Sequence, residues 1–151
     1  AVRIVDYAQS DLSMFIKAAD YLGIYWHVFS DGDPQGVKNV KKSHEFLANR
    51  AEHLHLTLLP KNEPIEPYLC RAGFIDVYEE HASEQNRHRY ITVDKDDDAY
   101  VVQLCQCLPN NGKPAAAHGV ITAMAERCAN SVPKEIVECL NNVLRLAAGA
   151  G

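Results

Sequence analysis

The stretch Gly23-Ile-Tyr-Trp-His-Val-Phe-Ser-Asp-Gly-Asp-Pro-Gln-Gly36 decides how the rest of the chain is read. Ile24 to Phe29 is a near-continuous apolar and aromatic run, the composition of a short strand buried on both faces. The run passes into Asp31-Gly32-Asp33, after which Pro34 and Gly36 turn the chain into a helix. Gly32 lets the backbone bend between the two acids, so both carboxylates are expected to converge at the carboxyl end of the strand. Open α/β sheets place their ligands at that edge. Two hard oxygen donors flanking one glycine, with no thiolate beside them, suit Mg²⁺ or Mn²⁺ rather than zinc. Taken alone, the tripeptide is more often ordinary turn chemistry.

Working outward, Val2 to Tyr7 alternates loosely and reads as a strand. Ser10 is placed to cap a helix from Asp11 to about Leu22, with Leu12, Phe15, Ile16, Ala19 and Leu22 on one face and Gly23 as its stop. Beyond the acidic turn a helix is expected from Pro34 to Arg50. It buries Val37, Val40, His44 and Leu47 and turns Lys38, Lys41 and Lys42 the other way, either as a solvated face or as one that meets phosphates. His53 to Leu59 reads as a third strand, ended by Pro60, whose two histidines share an exposed side. Strand, helix, strand, helix, strand is the rhythm of a parallel sheet with right-handed crossovers. Residues 1–60 therefore read as an α/β core.

Residues 61–151 read as a mostly helical part of the same domain. A proline-punctuated loop leads into a short helix ending near Gly73, and a second short helix follows from Phe74 to Ala82. Ser83 to Arg89 reads as a locally basic loop, and Tyr90 to Val93 as a short strand or lead-in. Asp96 to Leu108 is expected to be helical. Pro114 opens a helix to about Ala129 that buries Val120, Ile121, Met124 and Cys128. Pro133 opens the last helix, carrying Ile136, Val137, Leu140, Val143 and Leu144.

The chain has 151 residues, 47% of them hydrophobic and 23% charged, which is the balance of one globular domain. No apolar run approaches a membrane span and no charged-then-apolar leader opens the chain, so the cytoplasm is the expected location. The five cysteines form no Cys-x-x-Cys pair, and an odd count argues against a secreted disulfide framework. Cys105, Cys107, His118 and Cys128 match the spacing of no closed zinc site and read as helix filler. A net charge of −5 means that any contact with nucleic acid must come through a local basic face or a metal.

A wider set of motifs points further. Asp6-Tyr-Ala-Gln-Ser10, Leu22-Gly-Ile-Tyr-Trp-His27 and Ser30-Asp-Gly-Asp33 are followed by Leu58-Leu-Pro60, Ile65-Glu66 and Gly73-Phe-Ile-Asp-Val77, then by Gly112-Lys-Pro114 and Ser131-Val-Pro133. Together, over nearly the whole chain, these resemble the carboxy-terminal TOPRIM region of the OLD-family (overcoming lysogenization defect) ATP-dependent endonucleases. The resemblance implies a TOPRIM-like small parallel sheet flanked by helices. It implies a divalent-metal-dependent DNA endonuclease, with Mg²⁺ or Mn²⁺ as cofactor, coupled to an ABC-type ATPase domain that alone would use ATP. Asp31 and Asp33 match the family's Asp-x-Asp ligands, Glu66 a later acid, and Lys113 a late lysine suited to a phosphate or to transition-state charge. The family's first acidic motif, a Glu-Gly pair on an upstream strand, has no match here, and neither does any Gly-rich Lys-Ser/Thr loop. The resemblance thus implies a fragment, inactive or weakly active alone.

In such chemistry two ions about 4 Å apart activate water, neutralise the phosphate and stabilise the leaving alkoxide. Asp31 and Asp33 would hold one ion, Glu66 would complete the shell or orient the water, and Lys113 would meet phosphate as a point charge. Lys38, Lys41 and Lys42 would face DNA. Glu66 beside Pro67 is equally at home at a helix start, and Lys113 equally at home in a solvated loop. A different class also fits: a TOPRIM-like module that no longer cleaves and binds DNA or a partner within an ATPase assembly. An unpaired sheet edge would make a second copy a further partner. A haloacid-dehalogenase-type phosphatase is disfavoured by Gln35, and a sugar-nucleotide transferase by the lack of a preceding nucleotide-binding stretch.

Overall fold

The structure is a computed structural model that describes residues 1–7, 10–60, 62–109, 112–127 and 131–149. It divides into two compact units, residues 1–64 with 134–151, and residues 65–133.

The first unit is α/β. Its parallel sheet pairs β1 (Val28–Ser30) with β2 (Leu56–Leu58), in the register Val28 to Leu56, Phe29 to Thr57 and Ser30 to Leu58. Helix α1 (Leu12–Tyr21) precedes β1, and α2 (Pro34–Ser43) crosses from β1 to β2, continuing as a 3₁₀ turn over His44–Phe46. A single helical turn, α3 (Glu52–His55), leads into β2, and α9 (Lys134–Ala147) packs against α3. Leu12, Ile16, Val28, Val40, Leu47 and Leu56 form the core, with Tyr7, Trp26 and Phe46 against it. At roughly 1.5–3 kcal/mol for each fully buried aliphatic side chain, this cluster is the unit's main source of stability.

Several expectations are corrected here. Asp11, not Ser10, caps α1, accepting from the Ser13 backbone N–H at 3.0 Å. Residues 2–7 form no strand, and Ile4 is 98% exposed, since no neighbouring strand among the described residues pairs with them. The central strand starts at Val28, not Ile24, and Ile24 and Tyr25 are exposed. The third strand starts at Leu56, because residues 52–55 take a helical turn instead. In α2 the buried positions are Gly36, Val40 and Ser43, whereas Val37 and the nearby His44 are exposed.

Side chains replace the ladder where the strands stop short. His27 Nδ1–H donates to the Leu54 carbonyl at 2.8 Å, and His55 Nδ1–H donates to the Trp26 carbonyl at 2.7 Å. Each histidine thus holds the carbonyl just before the other. With Nδ1 donating, His27 Nε2 is left to accept from the Thr57 hydroxyl at 2.9 Å. His55 is buried rather than one of an exposed pair, and His53 lies on the surface. Trp26 stacks edge-on against His55 and donates to Asp20 at 2.9 Å, which makes it a structural side chain.

The second unit is helical: α4 (Ile65–Leu69), a wide turn over Cys70–Phe74, α5 (Ile75–His81), α6 (Glu84–Tyr90), α7 (Asp98–Gln106) and α8 (Gly112–Glu126). Gly73 sits at φ 103°, a conformation that a side chain would resist. Residues 84–90 are a helix rather than the expected loop. Glu84 in its first turn and Arg87, His88 and Arg89 in its last place charges to suit the helix dipole. Residues 90–93 add no strand. Gly119 lets α8 approach α5, since a Cβ there would lie 2.8 Å from Val77 Cγ1. Val120 is buried as expected, Ile121 is exposed, and Cys128 lies outside the described residues. On α9 the buried positions are Cys139 and Leu146, with Leu140 and Leu144 exposed. No helix among the described residues is long and apolar enough to cross a membrane.

Burial holds both His27 and His55 below the ordinary value of 6.5, so the fold favours their neutral forms. Unfolded histidines titrate near 6.5, so the unfolded chain takes up protons that the folded one resists, and stability falls as pH drops below that value. The melting temperature should be level between pH 7 and 8.5 and fall between about 6.5 and 5, above the range where carboxylates protonate. In a His27→Gln, His55→Gln double variant that part of the pH dependence should disappear. An unchanged melting temperature at pH 5.5 in the parent chain would rule the clamp out as a pH-sensitive element.

Candidate functional site

The carboxyl end of β1 opens into a cleft of about 560 Å³, lined by Asp6, Tyr7, Phe29, Ser30, Asp31, Asp33, Gln35, Asn39 and Lys42 among others. Backbone packing sets its shape. A Cβ on Gly36, in the first turn of α2, would lie 1.8 Å from the Asp31 carbonyl oxygen and 3.0 Å from Ser30 Oγ. Only glycine lets the helix start directly on the acidic turn. Gly32 lies in the expected bend, and it also serves a second purpose. Its φ lies outside the left-handed region, and a Cβ there would meet the carbonyl oxygens of Leu59 and Pro60 at 2.5 and 2.7 Å. Gly32 is therefore a close-approach residue that seats the acidic turn on the segment following β2.

Asp31 and Asp33 both line this cleft. Asp33 is also the N-cap of α2, its Oδ1 accepting from the Gly36 N–H at 2.7 Å. Tyr7 closes one side, donating to the Phe29 carbonyl at 3.2 Å and hydrogen-bonded to Ser30 Oγ at 2.9 Å. That anchor brings Asp6 to the same cleft. Asp6 stands in the first of the family-like motifs, but nothing in its spacing assigned it a role. Lys42 pairs with Asp11 at 2.9 Å, and this ammonium, with the Ser13 N–H, holds the Asp11 carboxyl below the usual carboxylate range. Lys38 and Lys41 are exposed on α2.

Glu66 and Lys113 belong to the second unit, where they form an ion pair at 2.7 Å. Glu66 is largely buried, at 16% side-chain exposure, against 65% for Lys113. Two residues placed 47 positions apart in sequence, expected to act separately on metal and on phosphate, are thus in contact with each other. Of the cysteines expected to be helix filler, Cys107 is buried and donates to the Gln103 carbonyl; His118 is exposed, and Cys128 lies outside the described residues. Among the described residues no group of three or more histidine, cysteine, aspartate or glutamate side chains is placed to hold a metal ion. Two carboxylates in an open cleft still fit Mg²⁺, which keeps several waters and takes one or two protein carboxylates together with phosphate oxygens.

Fold and cleft define an α/β chain with an acidic turn at the carboxyl edge of a small parallel sheet. Among curated proteins, the chain is 30% identical over 151 residues to uncharacterized protein YbjD of Escherichia coli (strain K12), a match covering 98% of this chain. The chain spans 26% of the length of that relative. No protein-family model matches the chain. No solved structure matches it either.

Gly36→Ala tests the seating of the acidic turn. The new methyl would overlap the Asp31 carbonyl, and the variant should lose about 3 kcal/mol of stability or more, read by thermal or urea denaturation. Gln35→Ala, an exposed change on the same turn, should cost less than about 0.5 kcal/mol. Equal stability of the two variants would refute the packing argument.

Proposed function

We propose that the chain is the metal-binding part of a DNA endonuclease of the OLD family, TOPRIM-like in fold and working with an ABC-type ATPase domain elsewhere in the full-length protein. The observation that carries this reading is the placement of Asp31 and Asp33 in one cleft at the carboxyl end of β1. A crossover helix starts directly on the turn that carries them and leads towards β2. The family-like motifs along nearly the whole chain support it.

Asp31 and Asp33 would hold Mg²⁺ or Mn²⁺, with Asp6 facing the same space. When bound, such an ion supplies charge neutralisation at phosphate and a water of lowered pKa. The residues themselves do the rest. Asp33 keeps one carboxylate oxygen on the Gly36 N–H, which fixes its side chain. Gly32 and Gly36 hold the turn without side-chain interference. Lys38 and Lys41 lend local positive charge to a chain of net charge −5 that must approach a polyanion. Glu66 and Lys113 enter as family-motif residues; their ion pair leaves the lysine to be shared between carboxylate and phosphate. The second reading, a non-cleaving module that binds DNA or a partner, is favoured by one observation, that Asp33 already serves as a helix cap.

Titration of the chain with Mg²⁺ or Mn²⁺, followed by NMR or calorimetry, tests the site against an Asp31→Asn, Asp33→Asn variant. Asparagine caps helices as well as aspartate, so the fold should survive. Metal-dependent signals around Asp31 in the parent chain, lost in the variant, are expected. Identical behaviour of the two proteins at millimolar metal would remove the metal site. Cleavage of plasmid DNA by the full-length protein, abolished by the same pair of substitutions, separates the nuclease from the binding module.

A further inference from the structure

Two thiols meet inside the second unit. Cys70 opens the wide turn after α4, Cys105 stands in the last turn of α7, and their sulfurs are 3.8 Å apart across 35 residues of sequence. Both are free thiols; Cys70 is 3% exposed and Cys105 is partly accessible. A bonded pair sits at about 2.05 Å, so closure requires the sulfurs to approach by about 1.8 Å. Cys70 lies at the edge of an irregular segment, with Gly73 at φ 103°, where the backbone adjusts more readily than in a continuous helix. Among the described residues of the second unit, the remaining cysteine, Cys107, is poorly placed to compete. It is fully buried and donates to the Gln103 carbonyl.

We propose that Cys70 and Cys105 form a reversible disulfide when the protein meets hydrogen peroxide, tying the turn after α4 to the end of α7. Cys105, the more accessible sulfur, attacks peroxide; its S–O bond forms as the O–O bond breaks, giving a sulfenic acid and one water. The Cys70 sulfur then attacks Cys105, the S–S bond forms, and hydroxide leaves with the Cys70 proton as a second water. Two electrons pass from the sulfur pair to peroxide, and a dithiol returns them by exchange. The hydrogen bond to Cys105, with burial, holds the Cys70 thiol well above the usual thiol range, which leaves the more accessible Cys105 to meet peroxide first. Glu66 lies one helical turn before Cys70, so the bond restrains the stretch that carries it. The proposal stands independently of the nuclease reading.

The test is mass spectrometry of the reduced full chain after hydrogen peroxide and alkylation. The chain should lose two of its five thiols and about 2 Da, digestion should yield a Cys70–Cys105 cross-linked peptide, and dithiothreitol should restore both thiols. Cys105→Ser and Cys105→Ala, at a partly accessible position, should fold as judged by circular dichroism and give no cross-link through Cys70. Full alkylation of both cysteines after peroxide would overturn the proposal. So would a cross-link through another cysteine, or a sulfinic acid at Cys105 without a bond to Cys70.

Discussion

The first unit depends on the exchange of hydrogen bonds between His27 and His55. Its sheet is only three residue pairs long, too short to fix two segments by ladder bonds alone. The two imidazoles extend the pairing backwards, each donating to the carbonyl that precedes the other. Trp26 packs between this clamp and the Arg50–Asp20 ion pair at 2.7 Å, with the guanidinium over its ring. The approach to β1 is therefore held by polar side chains that must stay neutral, where a longer strand would use backbone. Burial of those imidazoles is what makes the arrangement sensitive to protonation.

What the clamp holds in place is the start of β1, and the acidic turn is fixed from the other end. Tyr7 bonds to the last two residues of the strand, Gly36 lays α2 on Asp31, and Gly32 rests on the carbonyls after β2. Three close approaches thus position one turn. Asp31 and Asp33 are presented by backbone packing, and backbone packing leaves less conformational freedom to quench on binding than a loop held by its side chains.

The parts of this arrangement legible in the sequence are those with local causes. Pro34 after Asp33 marks the start of α2, and the apolar spacing of Leu12 and Ile16 marks the buried face of α1. The crossover between parallel strands followed from the alternation of strand and helix. What escaped has long-range causes. Ile24 and Tyr25 carry strong strand propensity but meet no partner, because residues 52–55 coil into a turn that packs on α9. A propensity cannot become a strand without an edge to pair with. His53 and His55 alternate as in a strand, yet the helical turn sends one to the surface and the other into the core. The polar stretch 84–90 lacks any apolar periodicity, so its helix is not visible that way, although the charges at its ends suit one and it packs on α7. Asp6 was visible only as a letter in a motif, since its place at the cleft comes from Tyr7 reaching across 22 residues to Phe29.

Asp33 shows why the ordinary and the functional interpretations of an acidic turn need not compete. A carboxylate offers about four lone-pair sites on two oxygens. The cap uses Oδ1 on the Gly36 N–H, at 2.7 Å, and that bond sets the side-chain rotamer. A ligand so fixed would lose little rotamer entropy on meeting an ion, and the charge the ion draws on is already oriented by the helix start. The opposing effect is real: a backbone N–H withdraws charge from the oxygen it holds and weakens that oxygen as a donor. On the proposed metal-site reading, the second oxygen would be the better ligand, and Asp31, whose backbone lies under Gly36, would supply the rest. The same first turn of α2 that stabilises the fold therefore holds one carboxylate oxygen of Asp33 on the backbone. Structure and site are coupled through one residue pair, Asp33 and Gly36.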